Sequence, residues 1–137
     1  MKRALLSTVA ALVCAVALVG PSAGGVTKSA DNYGGVSNAT VLQVKQMVYA
    51  EFGRGWKAET MIRCIRRESG FNARAANWTD SHGGSFGLAQ INGVHDPAPG
   101  KYATKAWIRK MWNPVLNLRQ AHRLMSGSGL GPWGGGC

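Results

Sequence analysis

Met61-Ile62-Arg63-Cys64-Ile65-Arg66-Arg67-Glu68-Ser69-Gly70 is the stretch on which the fold turns. On a wheel at ~100° per residue, Met61, Ile62, Cys64 and Ile65 share one arc, and Arg63, Arg66 and Arg67 cluster opposite. That pattern predicts an amphipathic helix over residues 58–69, with Gly70 as its stop. Glu68 breaks the pattern: it lands inside the apolar arc, one turn after Cys64. A carboxylate there pairs with an arginine, or escapes to solvent from the last turn, where the helix dipole disfavours it. Alternatively it is a group with a purpose, because apolar surroundings favour the protonated form of a carboxyl, and that form can donate.

Outward from this helix the chain reads as a series of short elements. Thr40 caps a preceding helix over residues 41–52, with Val41, Val44, Met47 and Val48 on one face, ended by Gly53-Arg54-Gly55. Residues 72–93 are rich in Asn, Asp, Ser and Gly around a single apolar run, Phe86-Gly87-Leu88-Ala89-Gln90-Ile91. Turns and a short hairpin leading into a short helix are expected there. A third helical stretch covers residues 103–112. Asn113 and Pro114 then serve as cap and first position of a fourth helix. Val115, Leu118, Ala121, His122 and Met125 keep helical spacing in it up to a stop at Gly127. The glycine-rich tail, residues 131–137, reads as a loop, and no internal repeat is present.

The amino terminus reads as an export signal. Lys2 and Arg3 precede an almost wholly apolar run from Ala4 to Gly20, and Pro21-Ser22-Ala23-Gly24-Gly25 supplies a breaker and small residues. The run is shorter than the ~20 residues that span a bilayer. Residues 1–23 are thus expected to be a cleaved signal peptide, with no lasting membrane anchor, and Cys14 is discarded with it. Residues 24–39 read as a flexible leader and residues 40–137 as one domain. The 137 residues carry 16 Lys and Arg against 6 Asp and Glu, a formal charge of +10. Losing Lys2 and Arg3 with the leader lowers this to +8. Such a balance suits an anionic partner, and export disfavours nucleic acid among the candidates. Outside the cytoplasm the remaining cysteines, Cys64 and Cys137, are expected to pair, a free Cys137 or an intermolecular bridge being the alternatives. His82, His95 and His122 stand apart, so no zinc spacing exists, and neither a metal nor another cofactor is expected.

Three words in order narrow the reading. Glu68-Ser69-Gly70-Phe71-Asn72, then Gly87-Leu88-Ala89-Gln90-Ile91-Asn92, then Asn113-Pro114-Val115-Leu116-Asn117-Leu118 resemble the lysozyme-like superfamily, in particular the soluble lytic transglycosylases. Ala89 stands where that family carries Met. The resemblance spans roughly residues 41–133. It implies a mainly α, lysozyme-like α+β fold: a small single helical domain with a short turn and hairpin segment beside the cleft. It also implies a secreted monomer acting on peptidoglycan glycan strands at the anionic cell-wall surface, with Glu68 as the catalytic acid. Ser69 is then expected to orient the carboxyl, and Gln90, Asn92 and Trp133 to meet the sugar strand. For Asn92, holding a tight turn is an equal alternative. Trp107 and Trp112 are expected in the core, and the arginine face on solvent.

The match from Glu68 to Asn92 also runs without a gap against animal-type lysozymes, which carry a second catalytic Asp just before the aromatic-Gly pair. Ser85 occupies that place here. Asp80, five residues earlier, is expected to be a turn former. A lone acid fits substrate-assisted cleavage, as in lytic transglycosylases, better than direct hydrolysis, which uses two carboxylates. The hydrolytic lysozyme and a non-catalytic wall-binding protein remain as alternatives.

Overall fold

The computed structural model describes residues 39–98, 100 and 102–137; the expected signal peptide and almost all of the expected leader lie outside the described residues. Four α-helices and one small sheet make up the described part: α1 (Val41–Phe52), α2 (Trp56–Ser69), β1 (Ala76–Asn77), β2 (Ser85–Phe86), β3 (Ile91–Asn92), α3 (Lys105–Met111) and α4 (Pro114–Ser128). The protein is therefore mainly helical. No described helix is long and apolar enough to cross a membrane.

Local chemistry sets most of the helix ends. At α1, the Gln43 amide donates to Thr40 Oγ1 while Gln43 Oε1 accepts from the Thr40 amide, a reciprocal capping box. Asn113 Oδ1 accepts from the amides of Val115 and Leu116, and Pro114 follows at the first helical position of α4. Gly70 closes α2 in the left-handed conformation, its amide donating to the Arg66 carbonyl.

Four boundaries depart from the sequence expectation. α2 starts two residues early, at Trp56, because Gly55 (φ 139°) turns the chain straight into the helix and accepts from the Glu59 amide. α3 is trimmed to Lys105–Met111. Thr104 is its cap, accepting from the Trp107 amide, and Asp96 Oδ2 holds the Thr104 amide and hydroxyl outside the helix. α4 passes through Gly127 and ends at Gly129, since one glycine costs a helix only ~1 kcal/mol against alanine. Residues 131–133 form a 3-10 turn within the tail rather than plain loop.

The core gathers the inward faces of all four helices around the sheet. Val44 and Val48 come from α1, Met61, Cys64 and Ile65 from α2, Trp107 and Met111 from α3, and Leu118 and Ala121 from α4. Phe86, Leu88, Ala89 and Ile91 enter from the sheet segment. Trp107 is in the core as expected; Trp112 is half-buried and meets Phe86 edge-on. Val41, expected on the inner face of α1, is exposed instead, at the helix's first turn.

The sheet is antiparallel in the order β1-β2-β3, with Asn77 opposite Ser85 and Ser85 opposite Asn92. Ala76, Phe86 and Ile91 form the alternate row. A turn of 3-10 helix, Gly93–His95, follows where a short helix was expected. Gly87 (φ 79°) crosses so close to the Met111 carbonyl and the Asn117 side chain that a Cβ would collide with both. Asn117 is fully buried there. Its Oδ1 accepts from the Ala89 amide, and its Nδ2 donates to the carbonyls of Phe86 and Met111. One side chain of α4 thus ties the segment after β2 to the end of α3. Cys64 and Cys137 are paired at disulfide distance, 73 residues apart in sequence, with Cα atoms 4.9 Å apart. A closed loop of that length stabilises the fold by about 4 kcal/mol.

Candidate active site

α2 delivers Glu68 in its last turn to a cleft of about 360 Å³. The opposite wall is the sheet row Asn77, Ser85 and Asn92, extended by Asp80, Gln90, Ile91 and His95; Leu124, Pro132 and Trp133 complete the lining. Of the residues picked out from sequence, Glu68, Gln90, Asn92 and Trp133 share this one cleft. Ser69 does not line it.

Glu68 is not enclosed by apolar groups: its side chain is 25 % exposed and ion-paired to its neighbour Arg67. Arg67 Nη2 and Nε donate to Glu68 Oε1 at 2.6 and 3.0 Å. The same guanidinium donates from Nη1 to the Gly136 carbonyl (2.7 Å) and from Nη2 to the Trp133 carbonyl (2.9 Å). Arg67 is therefore not simply part of a solvated arginine face; its long side chain curls back to bind the tail. Ser69 does not orient the carboxyl, since its hydroxyl donates to the Ile65 carbonyl in its own helix.

Trp133 is 5 % exposed and donates from Nε1 to the Ala89 carbonyl. It lines the cleft as a structural prop and leaves little ring face for a ligand to stack on. Gln90 adopts a positive φ of 48° and donates from Nε2 to the Gly87 carbonyl, which leaves its Oε1 without a hydrogen-bond partner among the described residues. Asn92 holds the turn: Nδ2 donates to the Ser81 carbonyl and to Ser85 Oγ, and Oδ1 accepts from the Val94 amide.

Two further titratable residues line the cleft beyond those expected to meet a substrate, Asp80 and His95. Asp80 was expected to form a turn, and it does, accepting the Ser81 amide at the start of a 3-10 turn. Its other oxygen accepts from Ser85 Oγ at 2.5 Å, so a carboxylate stands directly beside Ser85 in the cleft. The Ser85 hydroxyl holds Asp80 below the usual carboxylate range, helped by the Ser81 amide and the Asn92 side chain and opposed by partial burial. The spacing of five residues between Asp80 and Ser85 was visible, but the loop that folds one onto the other was not. His95 sits in the cleft, and burial pushes its pKa down, favouring the neutral imidazole. Only its separation from the other histidines could be read in advance.

Chemically the cleft offers one carboxyl with a free edge, a second carboxylate held ionised, and amide and imidazole groups. Among the described residues no group of three or more His, Cys, Asp or Glu is placed to hold a metal ion. No family model, curated protein or solved structure matches the chain.

Proposed function

We propose that the protein is a secreted lytic transglycosylase with a lysozyme-like fold, which cuts the β-1,4 bond between MurNAc and GlcNAc in peptidoglycan. The observation that carries this reading is the meeting of Glu68, Gln90 and Asn92, drawn from two separate sequence words, in one cleft. Glu68 protonates the glycosidic oxygen as the bond from C1 breaks, and positive charge develops on the ring. The resulting Glu68 carboxylate then takes the proton of the muramic C6 hydroxyl. That oxygen closes on C1 to give a 1,6-anhydro end, so the enzyme returns to its starting protonation state. Excess cationic charge on the protein favours residence on an anionic wall. Asp80 supports a single-acid mechanism in one respect: each of its oxygens already accepts a hydrogen bond that holds the wall turn.

One observation favours a second reading, hydrolysis. Asp80 lines the same cleft as Glu68 and is held ionised, the requirement for a base that activates water. Mass spectrometry of peptidoglycan digests separates the two. Anhydro-muramic ends are expected, and reducing ends alone would exclude the transglycosylase. Asp80→Asn sharpens the comparison. Under the first reading it leaves the anhydro products in place, with a rate changed only through the loosened turn. Under the second it removes reducing-end release by about 10²-fold or more.

A further inference from the structure

We propose that Arg67 is a positioning residue for Glu68, fixing Oε1 against the disulfide-pinned tail and leaving Oε2 to react. The inference rests on Glu68 being the reacting acid. Glu68 lies in the last turn of α2, next to the left-handed Gly70, and a quarter of its side chain faces solvent. Nothing in that location alone fixes its rotamer. Two donors of one rigid guanidinium converge on Oε1, and no hydrogen bond reaches Oε2 among the described residues. One oxygen is thus anchored and the other carries no hydrogen bond among the described residues, on a side chain that lines the cleft; that is the division of labour that a single proton-transferring carboxyl needs.

The anchor is itself anchored. Arg67 spends its remaining donors on the carbonyls of Trp133 and Gly136, and the residue after Gly136 is Cys137, joined to Cys64 one turn before Glu68 on the same helix. Helix, disulfide, tail carbonyls and guanidinium therefore form a closed circuit that ends on the carboxyl. Neither neighbouring arginine takes part: Arg63 donates to Thr60 Oγ1, and Arg66 shows no side-chain bond to the tail. A lysine in place of Arg67 could not serve three acceptors in fixed directions.

Steady-state kinetics on soluble, uncross-linked glycan strands test this. Arg67→Ala is expected to lower kcat by about 10-fold or more, with KM within about 2-fold, because a misplaced acid slows the chemical step without removing binding contacts. Arg66→Ala removes the same charge from the same helix and is expected to keep the parental kcat. Arg67→Lys retains stem and charge but loses the fork, and is expected to stay close to Arg67→Ala; it carries the same test if the alanine variant does not fold. Cys137→Ser is expected to slow the enzyme in the same way, and adding it to Arg67→Ala should cost less than about 2-fold more. Parental kcat in Arg67→Ala or Arg67→Lys overturns the proposal, as does a fully multiplicative loss in the double variant. Glu68→Gln run beside them separates the layers: if it is active, the reading of Glu68 fails; if it is inactive while Arg67→Lys is unimpaired, only the positioning role fails.

Discussion

Glu68→Gln is expected to abolish solubilisation of cell-wall suspensions, a loss of about 10³-fold or more, while binding to the wall stays nearly intact. General acid catalysis alone accounts for about 10²–10⁴ in rate, and the proposed cycle uses the group twice, as acid and then as base. Glutamine preserves the shape and can still accept from Arg67, so the Trp133 and Gly136 carbonyls keep their donor. What it cannot do is give up a proton to the leaving oxygen. Turbidity clearing and release of soluble muropeptides measure the loss, and co-sedimentation with purified walls measures binding. Clearing at the parental rate would remove Glu68 from the mechanism. Bacterial killing that survived the substitution and vanished at high salt would point instead to a cationic protein acting on membranes by charge.

Asn117→Leu is expected to destabilise the fold by about 3–5 kcal/mol, although leucine is close in volume and the site is fully buried. Among the described residues, this side chain is the sole hydrogen-bond link between α4 and residues 86–89. Its loss strands the Ala89 amide and the Met111 carbonyl away from water and removes one of the donors to the Phe86 carbonyl. Each unpaired buried group costs about 1–3 kcal/mol. The two methyl groups that replace the flat amide also press on Gly87, which the Asn117 side chain and the Met111 carbonyl already crowd. In a domain of roughly this size such a loss lowers Tm by more than about 10 °C. Thermal denaturation followed by far-UV circular dichroism reads it directly. A variant melting within a few degrees of the parent would show that Asn117 is not the tie described. Gln90 and Trp133 are attached to the same segment, so activity should fall before the helices melt.

The helix ends were legible because their causes are local. A capping box, an Asn-Pro start and a left-handed glycine each act within four residues, and a linear reading sees them. Features that depend on distant partners were not legible. The wheel put Arg67 on the solvent face, which is right for its Cα, but its side chain is long enough to reach carbonyls 66 and 69 residues away. Composition marked residues 131–137 as loop and left Trp133 looking available. Its burial depends on the Ala89 carbonyl, 44 residues earlier, which no local pattern announces. Gly127 misled for the opposite reason: a strong local stop signal costs an established helix only ~1 kcal/mol, and α4 runs through it. At the cleft, the sequence supplied Glu68, Gln90 and Asn92 but misjudged what Ser69 bonds to, because its hydroxyl goes to its own helix; Asn92 takes the turn-holding role that was open to it from the start. Asp80 was visible as a turn former, and only the fold brings its carboxylate to Ser85.

The β-sheet has just two residues per strand, far below the length at which strands stand alone. Its permanence is borrowed from Asn117 and from the Trp133 indole, and both grips fall at residues 86–89, beyond the tip of the wall. The tip is held both internally and by the strands: Asn77 Oδ1 accepts from the Thr79 amide and hydroxyl, Asp80 accepts from the Ser81 amide and the Ser85 hydroxyl, and the Ser81 carbonyl accepts from Asn92 Nδ2. Asp80 and Ser81 therefore belong to a fixed socket, and the exposed Thr79 and His82 side chains are the positions of the turn with no side-chain bond to the strands β2 and β3 among the described residues. If the cleft binds glycan as proposed, substitutions at these two positions should alter the rim of the wall while the helix carrying Glu68 keeps its seat.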